Sequence, residues 1–192
     1  MTLIKTLREQ TGAGVMDCRQ ALKEANGDLA EAARILKVKG AAIAAKKAGR
    51  ETRAGVIHAY IHGGRIGVLV EVNCETDFVA RNEKFQEFVR VLGLQIAAMN
   101  PDFVSPEDVP QEVIAQELDQ LHEHLTGADG DEFVNAQKSH MEKFYARVCL
   151  LNQLFVKDES KTVKDLLTEL IAATGENVII RRFTRYQLGD GA

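Results

Sequence analysis

The chain has 192 residues, of which 45% are hydrophobic and 27% are charged, the balance of an ordinary globular protein. Its 24 Lys and Arg residues and 28 Asp and Glu residues give a net charge of −4, which argues against binding nucleic acid through an excess of basic groups. No apolar run approaches the roughly 20 residues of a membrane-spanning helix, and the charged first ten residues lack the apolar core of a signal peptide, so we expect a cytoplasmic protein with no membrane partner.

The N-terminal region is predicted to form a compact module of three short helices. Apolar residues at helical spacing indicate a first helix over residues 2–10, and a glycine-containing break separates it from a second helix over residues 15–25. Asp28 is a good N-cap for a third helix, which Gly40 is expected to end. The alanine-rich stretch 41–50 then predicts a short helical linker with a basic end.

A β-hairpin is predicted directly after this module. Polar and apolar residues alternate over positions 54–62, which is the period-two pattern of a strand. Gly63 and Gly64 follow as a two-residue hairpin signal. The apolar residues at every second position from Ile66 to Val72 then indicate one face of a second strand.

The remainder of the chain is mainly helical by the spacing of its apolar residues. The predicted helices span residues 85–99, 113–121, 133–151 and 161–173. A polar break is expected at 127–131 and a last strand at 178–188. The predicted fold class is α+β, with a three-helix module and linker over residues 1–50 and a core over residues 51–192, in which helices pack on one side of a small antiparallel sheet.

The predicted sheet leaves hydrogen-bonding edges that must be covered or paired. We expect the last strand, over residues 178–188, to lie at such an edge. Pairing of this strand with a second copy of the chain would cover the edge and produce a homodimer.

Several residue types that carry chemistry occur without the partners that the chemistry needs. The three cysteines lie far apart and form no CxxC pair, which predicts neither a zinc site nor a disulfide framework within the chain. Cys74 lacks an evident general base, and a cysteine at a strand end is more often a buried apolar residue. His58 and His62 share a strand face, but no carboxylate or cysteine is placed to complete a metal site. We therefore expect no catalytic residue, metal or cofactor.

Three segments carry a more specific signal. They are residues 7–22 (LREQTGAGVMDCRQAL), residues 71–82 (EVNCETDFVARN), and a third segment that begins with Lys161-Thr162-Val163 and ends in Gly175-Glu176-Asn177 and Arg181-Arg182-Phe183. All three closely resemble segments of the elongation factor Ts family and occur in the same order. Because they reach from one end of the chain to the other, the resemblance is far more specific than a single motif would be.

The resemblance implies an N-terminal module of the ubiquitin-associated (UBA) type followed by an α+β core. It also implies guanine-nucleotide exchange on elongation factor Tu in protein biosynthesis. The factor would bind the GDP-bound and nucleotide-free forms of that GTPase, and it would be a binding protein rather than an enzyme. Longer family members carry two copies of the sheet-bearing unit and an inserted helical hairpin. This sequence carries one copy of the unit, so it resembles the short members, which pair into homodimers.

One departure from the family is the segment Gln153-Leu154-Phe155, where many relatives have a proline at the middle position. Proline fixes its own backbone angle and cannot donate a backbone hydrogen bond. The departure therefore affects only the expected backbone conformation of the segment that follows the long helix.

In this family the Thr-Asp-Phe-Val motif is associated with disturbing the magnesium site of the GTPase. The resemblance carries that role to Thr76, Asp77, Phe78 and Val79. Thr76 is suited to cap the helix that follows, and Asp77 would lie near the positive end of its dipole. Phe78 would enter an apolar pocket of the partner with Val79 packed beneath it. The alternative is that Phe78 is a core or staple residue and that its neighbours only cap a helix.

The N-terminal module is expected to dock on the nucleotide-binding domain of the partner, as it does in family members. The candidate contacts are Thr11, Gly12, Val15 and Met16, which occupy the loop after the first helix and the start of the second. The alternative is that Met16 and Leu22 fill the core of the module.

Two other classes of function stay open at the level of the sequence. An adaptor with a UBA-type module and an α+β dimerisation domain would have no exchange activity, and its Phe78 would be buried. A small hydrolase that uses Cys74 or a histidine would need a pocket that joins Cys74 to a base. Exchange on a GTPase instead requires the Thr-Asp-Phe-Val segment to be accessible to solvent.

Overall fold

The computed structural model describes residues 2–124 and 130–190. Its fold is α+β, as predicted, with helices at the N-terminus followed by a small antiparallel sheet and further helices. The elements in chain order are α1 Thr2–Thr11, α2 Val15–Glu24, α3 Leu29–Lys47, β1 Ala54–His62, β2 Ile66–Cys74, α4 Asp77–Ala80, α5 Glu83–Met99, α6 Gln111–His124, α7 Asp131–Val148, β3 Leu154–Phe155, β4 Asp158–Thr162, α8 Val163–Thr174 and β5 Val178–Gln187.

Helices α1, α2 and α3 pack around a small apolar core of their own. The predicted cap is present, because the side chain of Asp28 accepts a hydrogen bond from the backbone N–H of Glu31 at 2.8 Å. A side chain of this kind satisfies one of the donors that a helix start leaves unpaired. The buried residues of this core are Leu7, Cys18, Ala21, Leu22, Ala25 and Ala32.

Helix α3 continues through Gly40, so the predicted end at this residue and the separate linker helix after it are wrong. Gly40 is buried against α8, where a Cβ atom would lie 3.6 Å from Thr168 Cγ2 and 3.7 Å from Ala172 Cβ. A glycine costs roughly 1 kcal/mol in a helix interior compared with alanine. Packing against α8 and the alanines that follow Gly40 outweigh that cost.

The sheet has the predicted three strands in the order β1-β2-β5, and both pairs are antiparallel. The connection between β1 and β2 has three residues, not the two predicted. His62 pairs with Ile66, and the backbone N–H of Arg65 donates to the carbonyl of His62 at 3.0 Å. Among the described residues, strand β5 pairs only along β2 and therefore lies at an edge of the sheet, as expected.

The two faces of the sheet have different environments. On the inner face, alternate residues of β2 are buried against α5 and α8, in agreement with the predicted placement of the helices on one side. The outer face exposes apolar side chains, and these are Ile57, Ile61, Leu69 and Tyr186. The buried residues of the main core include Val68, Val70, Val72, Val79, Phe85, Phe88, Leu92, Ile96, Leu150, Val163, Ile171 and Ile180.

Helices α6 and α7 pack on each other around a third apolar cluster, which includes Val109, Phe144 and Val148. Helix α7 ends at Val148 rather than at residue 151. Cys149 takes an extended conformation with φ −104° and ψ 120° and forms a β-bridge with Phe103. Most of the polar break predicted at 127–131 lies outside the described residues.

The short hairpin of β3 and β4 was not predicted, and α8 begins two residues later than expected. Thr162 is the N-cap of α8, and its side chain and backbone form a reciprocal capping box with Asp165. Two buried amides hold this region to the core. Gln95 Nε2 donates to Gln153 Oε1 at 3.2 Å, and Gln95 Oε1 accepts from the backbone N–H of Val156 at 2.9 Å.

Candidate functional site

The Thr-Asp-Phe-Val segment forms the start and the body of α4, a single helical turn between β2 and α5. Thr76 is its N-cap, with the side-chain oxygen accepting from the backbone N–H of Val79 at 3.4 Å. Val79 and Ala80 are buried in the main core behind this turn. Phe78 points away from that core, and 82% of its surface is exposed.

The exposure of Phe78 contradicts the alternative in which this side chain packs in the core. A core or staple residue would be buried, and an adaptor without exchange activity was expected to bury it, so both of those expectations are wrong. Leaving an aromatic side chain in water forgoes about 1.5–3 kcal/mol of burial free energy. A single exposed apolar residue is common on protein surfaces. What distinguishes Phe78 is the way in which its backbone is held.

Thr76 is held by a residue far away in the sequence. The backbone N–H of Thr76 donates to Glu176 Oε2 at 3.0 Å, and its hydroxyl donates to Glu176 Oε1 at 2.6 Å. Glu176 lies in the turn between α8 and β5. Sequence reasoning assigned it no role, and the only signal that pointed to it was its place in the third family-like segment.

The turn that contains Glu176 also holds the neighbouring backbone. The backbone N–H of Asn177 donates to Glu75 Oε1 at 2.7 Å, and the buried side chain of Asn177 donates to the carbonyl of Arg50 at 2.8 Å. The hydrogen bond from Asn177, with the nearby Arg50 guanidinium, lowers the pKa of the Glu75 carboxyl. The end of β2, the residues after α3 and the turn after α8 thus meet at one place.

Cys74 lies at the end of β2, directly before this network. Its side chain is fully buried, and the thiol donates to the carbonyl of Thr76 at 3.2 Å. Burial raises the pKa of the Cys74 thiol to about 11, and the carboxylate of Glu176 adds to the shift. The nucleophile of a cysteine enzyme is an accessible thiolate, so the hydrolase alternative loses its candidate cysteine nucleophile.

His58 and His62 of β1 are the histidines that the sequence analysis considered as metal ligands. His62 Nδ1 hydrogen-bonds the hydroxyl of Tyr60 at 3.0 Å. Within residues 2–124 and 130–190, no group of three His, Cys, Asp or Glu side chains stands close enough to hold a metal ion.

The four candidate residues of the N-terminal module lie around the connection between α1 and α2. Thr11 Oγ1 donates to the carbonyl of Leu7 at 2.7 Å, and Gly12 has a φ of +66°, which favours glycine. Val15 and Met16 are exposed, Met16 by 70%. The alternative that Met16 fills the module core is therefore wrong, whereas Leu22 does occupy that core.

Two lysines of the core donate hydrogen bonds to backbone carbonyls at the end of α1 and in the loop that follows it. Lys84 Nζ donates to the carbonyl of Gly12 at 3.0 Å, and Lys84 is in the first turn of α5, just after α4. Lys161 Nζ donates to the carbonyl of Gln10 at 3.0 Å. The structure thus holds the loop between α1 and α2 against the start of α5, the helix that follows the Thr-Asp-Phe-Val segment. A cavity of about 1020 Å³ lies between α3 and α8, lined by side chains of both charges.

The family model described as Elongation factor TS matches residues 15–190 of the chain. The chain belongs to the elongation factor Ts family. It is 54% identical to elongation factor Ts of Caldanaerobacter subterraneus subsp. tengcongensis over 98% of this chain and 96% of that protein. The corresponding protein of Carboxydothermus hydrogenoformans is 55% identical, over 98% and 88% of the two chains. That of Thermotoga maritima is 52% identical, over 100% and 96%.

Membership of the elongation factor Ts family makes this protein an elongation factor of translation and protein biosynthesis. The family implies elongation factor Tu as the partner and nucleotide exchange as the activity. In residues 2–124 and 130–190, no helix is both long enough and apolar enough to cross a membrane.

Proposed function

We propose that this protein is a guanine-nucleotide exchange factor for elongation factor Tu and that it acts in the cytoplasm by binding alone, without a cofactor. The observation that carries the proposal is the exposed Phe78 on an anchored turn of a chain from the elongation factor Ts family. Such a factor binds the nucleotide-free GTPase more tightly than the GDP-bound form. By linkage, it weakens GDP binding by the same factor by which GDP weakens its own binding.

The proposed mechanism is disturbance of the magnesium site of the GTPase by the segment from Thr76 to Val79. A GTPase holds GDP through a phosphate-binding loop and a magnesium ion that bridges phosphate and protein. Phe78 enters an apolar pocket of the partner and displaces the elements that hold the water shell of the metal. Asp77, exposed beside it, lines the same contact, and the buried Val79 supports the turn from behind. GDP then dissociates and GTP can bind.

The N-terminal module is proposed to be a separate unit of the UBA type that docks on the nucleotide-binding domain of the partner. Its own apolar core supports a unit over residues 1–50 followed by the α+β core over 51–192. Thr11, Gly12, Val15 and Met16 are the proposed contacts, because the exposed Val15 and Met16 offer apolar surface.

The protein is also proposed to form a homodimer through strand β5. In the part of the chain that the structure describes, this strand lies at the sheet edge with one side free for pairing, which is a position that natural proteins cover. The adjoining outer face exposes the apolar side chains Ile61, Leu69 and Tyr186. A second copy of the chain is self-complementary to such an edge and would remove these side chains from water.

The function is tested by the release of a fluorescent GDP analogue from purified elongation factor Tu. We expect the unmutated chain to accelerate release, and Phe78→Ala to lower the rate at saturating factor by about 30-fold, which corresponds to roughly 2 kcal/mol for a buried aromatic anchor. The unfolding temperature of Phe78→Ala should equal that of the unmutated protein, because an exposed side chain contributes little to stability.

The matched control is Val134→Ala, which truncates an exposed apolar side chain on α7. Its release rate should equal that of the unmutated chain. Equal release with Phe78→Ala would leave exchange in place but move the mechanism away from this segment. No acceleration by the unmutated chain would contradict the proposed function itself.

A further inference from the structure

The direction of the Phe78 side chain depends entirely on how the backbone of α4 is held. With 82% of its surface exposed, the ring has little of its own packing to fix it. Helix α4 has only four residues, and a single helical turn has no stability of its own in water. The orientation of the ring must therefore come from contacts of the neighbouring residues with the rest of the molecule.

The first set of such contacts lies behind the turn. Val79 and Ala80 are buried in the main core, and the thiol of Cys74 donates to the carbonyl of Thr76 at 3.2 Å. The thiol holds only the carbonyl of Thr76, and apolar packing is not directional, because it follows the area removed from water. It keeps the turn on the core but leaves rotation of its exposed side unspecified.

The second contact is on the exposed side, and it is directional. Glu176 accepts from both hydrogen-bond donors of Thr76, at 2.6 Å from the hydroxyl and 3.0 Å from the backbone N–H. Hydrogen bonds to a carboxylate are shorter and stronger than neutral ones, and two of them to one residue fix its orientation as well as its position. Thr76 precedes Phe78 by two residues.

Glu176 is itself held on both sides. Gly175 ends α8 in the left-handed conformation with a φ of +71°, and its backbone N–H donates to Ile171 O. Asn177 is buried and makes the hydrogen bonds to Glu75 and to the carbonyl of Arg50. The carboxylate therefore projects from a rigid turn, as a group that positions another must.

We propose that Glu176 is a positioning residue for Phe78, which holds the Thr76 end of α4 so that the ring projects in the orientation needed to enter the partner. The expected effect of Glu176 on GDP release rests on the proposed exchange function, whereas its effect on the orientation of residue 78 does not. Glu176 acts through Thr76, and its hydrogen bonds connect the turn after α8 to a segment 100 positions earlier in the chain.

A purely structural role for Glu176 makes a different prediction. Thr76 is exposed, and hydrogen bonds that water can replace contribute little to the free energy of unfolding. If the carboxylate only stabilised the fold, its removal would lower the unfolding temperature and leave the motion of residue 78 unchanged. If Glu176 positions Phe78, its removal should leave the unfolding temperature nearly unchanged and increase the motion of residue 78.

The first measurement is independent of the partner. The chain contains no tryptophan, so Phe78→Trp introduces a single reporter at the exposed position. We expect its time-resolved fluorescence anisotropy to decay mainly with tumbling of the whole molecule. Adding Glu176→Ala should introduce a fast local component. Adding Glu87→Ala instead, which removes an exposed carboxylate paired with Arg90 on α5, should not. Identical decays for Glu176→Ala and the control would overturn the proposal.

The second measurement is GDP release from elongation factor Tu. We expect Glu176→Ala to lower the rate at saturating factor by about tenfold, as expected for a misplaced contact group. Glu176→Gln should lie between, because its amide keeps one acceptor oxygen for Thr76. In a Phe78→Ala background, Glu176→Ala should have no further effect, since the ring that it positions is absent.

Independent and additive effects of the two substitutions would overturn the proposal, and so would a Glu176→Ala rate equal to that of Glu87→Ala. If the unmutated chain fails to accelerate release, the proposed exchange function is contradicted. The tryptophan measurement then still decides whether Glu176 orders residue 78, so the two failures are distinguishable.

Discussion

Neighbouring side chains between residues 74 and 79 have opposite environments over a short stretch of chain. Cys74 is buried with a raised pKa, whereas Glu75 has a lowered pKa because Asn177 donates to its carboxylate. Phe78 is exposed and Val79 is buried. The chain changes from strand to helix at Thr76, so from there on the side chains no longer alternate between the two faces of the sheet. Whether a side chain of this stretch is buried or exposed therefore depends on where it lies relative to that change.

At the residue scale, we predict that Cys74 makes stability depend on alkaline pH. Its folded pKa of about 11 lies above the ordinary value of 9.0, so the contribution is fully present below pH 9 and is lost as the pH rises through 11. We expect the free energy of unfolding to fall over this range by about 2 kcal/mol more in the unmutated chain than in Cys74→Ala. Urea unfolding at pH 8 and pH 10.5 measures this difference, and equal pH slopes would contradict the prediction.

Two glycines inside helices serve their elements in different ways. Gly40 in α3 has room for a methyl group, because the nearest atoms of α8 would lie 3.6 Å and 3.7 Å from an added Cβ. Gly93 in α5 has none, because an added Cβ would lie 2.7 Å from the Cβ of Tyr60 on β1. Gly93 thus permits the close approach of α5 to the sheet, whereas Gly40 interrupts no contact and only weakens its helix.

At the element scale, we predict effects of opposite sign for the same substitution at these two positions. Gly40→Ala should stabilise the protein by about 0.5–1 kcal/mol, because alanine has the higher helix propensity. Gly93→Ala should destabilise it by about 1–3 kcal/mol, because the packed strand must shift. Urea denaturation of both variants provides the measurement, with each serving as the control for the other. Stabilisation by both, or by neither, would show that the helix packing differs from that described.

The described residues of the molecule are organised around three apolar clusters. One lies within the N-terminal helices, one between the sheet and α5 and α8, and one between α6 and α7. The outer-face side chains Ile57, Ile61, Leu69 and Tyr186 belong to none of them. The N-terminal helices are joined to the main core by the ion pair of Lys37 and Asp165, whose Nζ and Oδ1 atoms are 2.9 Å apart. The hydrogen bonds of Lys84 and Lys161 to the end of α1 and the loop after it add to this connection. The outer side of the sheet therefore carries a group of neighbouring exposed apolar side chains.

At the scale of the whole molecule, we predict that this side mediates dimer formation. Sedimentation equilibrium should give twice the chain mass of 21.2 kDa for the unmutated protein. Tyr186→Lys, at the sheet edge and on its outer face, should weaken the dimer at least about tenfold by placing a charge in the contact. Val134→Lys, which changes an equally apolar exposed site on α7, should leave the mass unchanged. A monomeric unmutated chain at high concentration would contradict the prediction.

The sequence by itself determined the elements whose signals are local. The Asp28 cap, the strands of the hairpin and the stripe of α5 depend on residues at most a few positions apart, so their pattern is visible along the chain. The three family-like segments determined the family for a similar reason, because they are runs of particular residues. The location of the candidate segment at Thr76 to Val79 came from the same source.

The tertiary structure decided what depends on distant residues. Helix α3 passes through Gly40 because α8 packs there, and the periodicity of α3 contains no information about that neighbour. Phe78 has the same local pattern whether it faces core or solvent, so its exposure required the position of the whole turn. Glu176 reaches Thr76 across 100 positions, and a hydrogen bond between residues so far apart forms only when α8 and β5 fold back onto the sheet. Local periodicity specifies elements, whereas contacts between elements depend on how the complete chain packs.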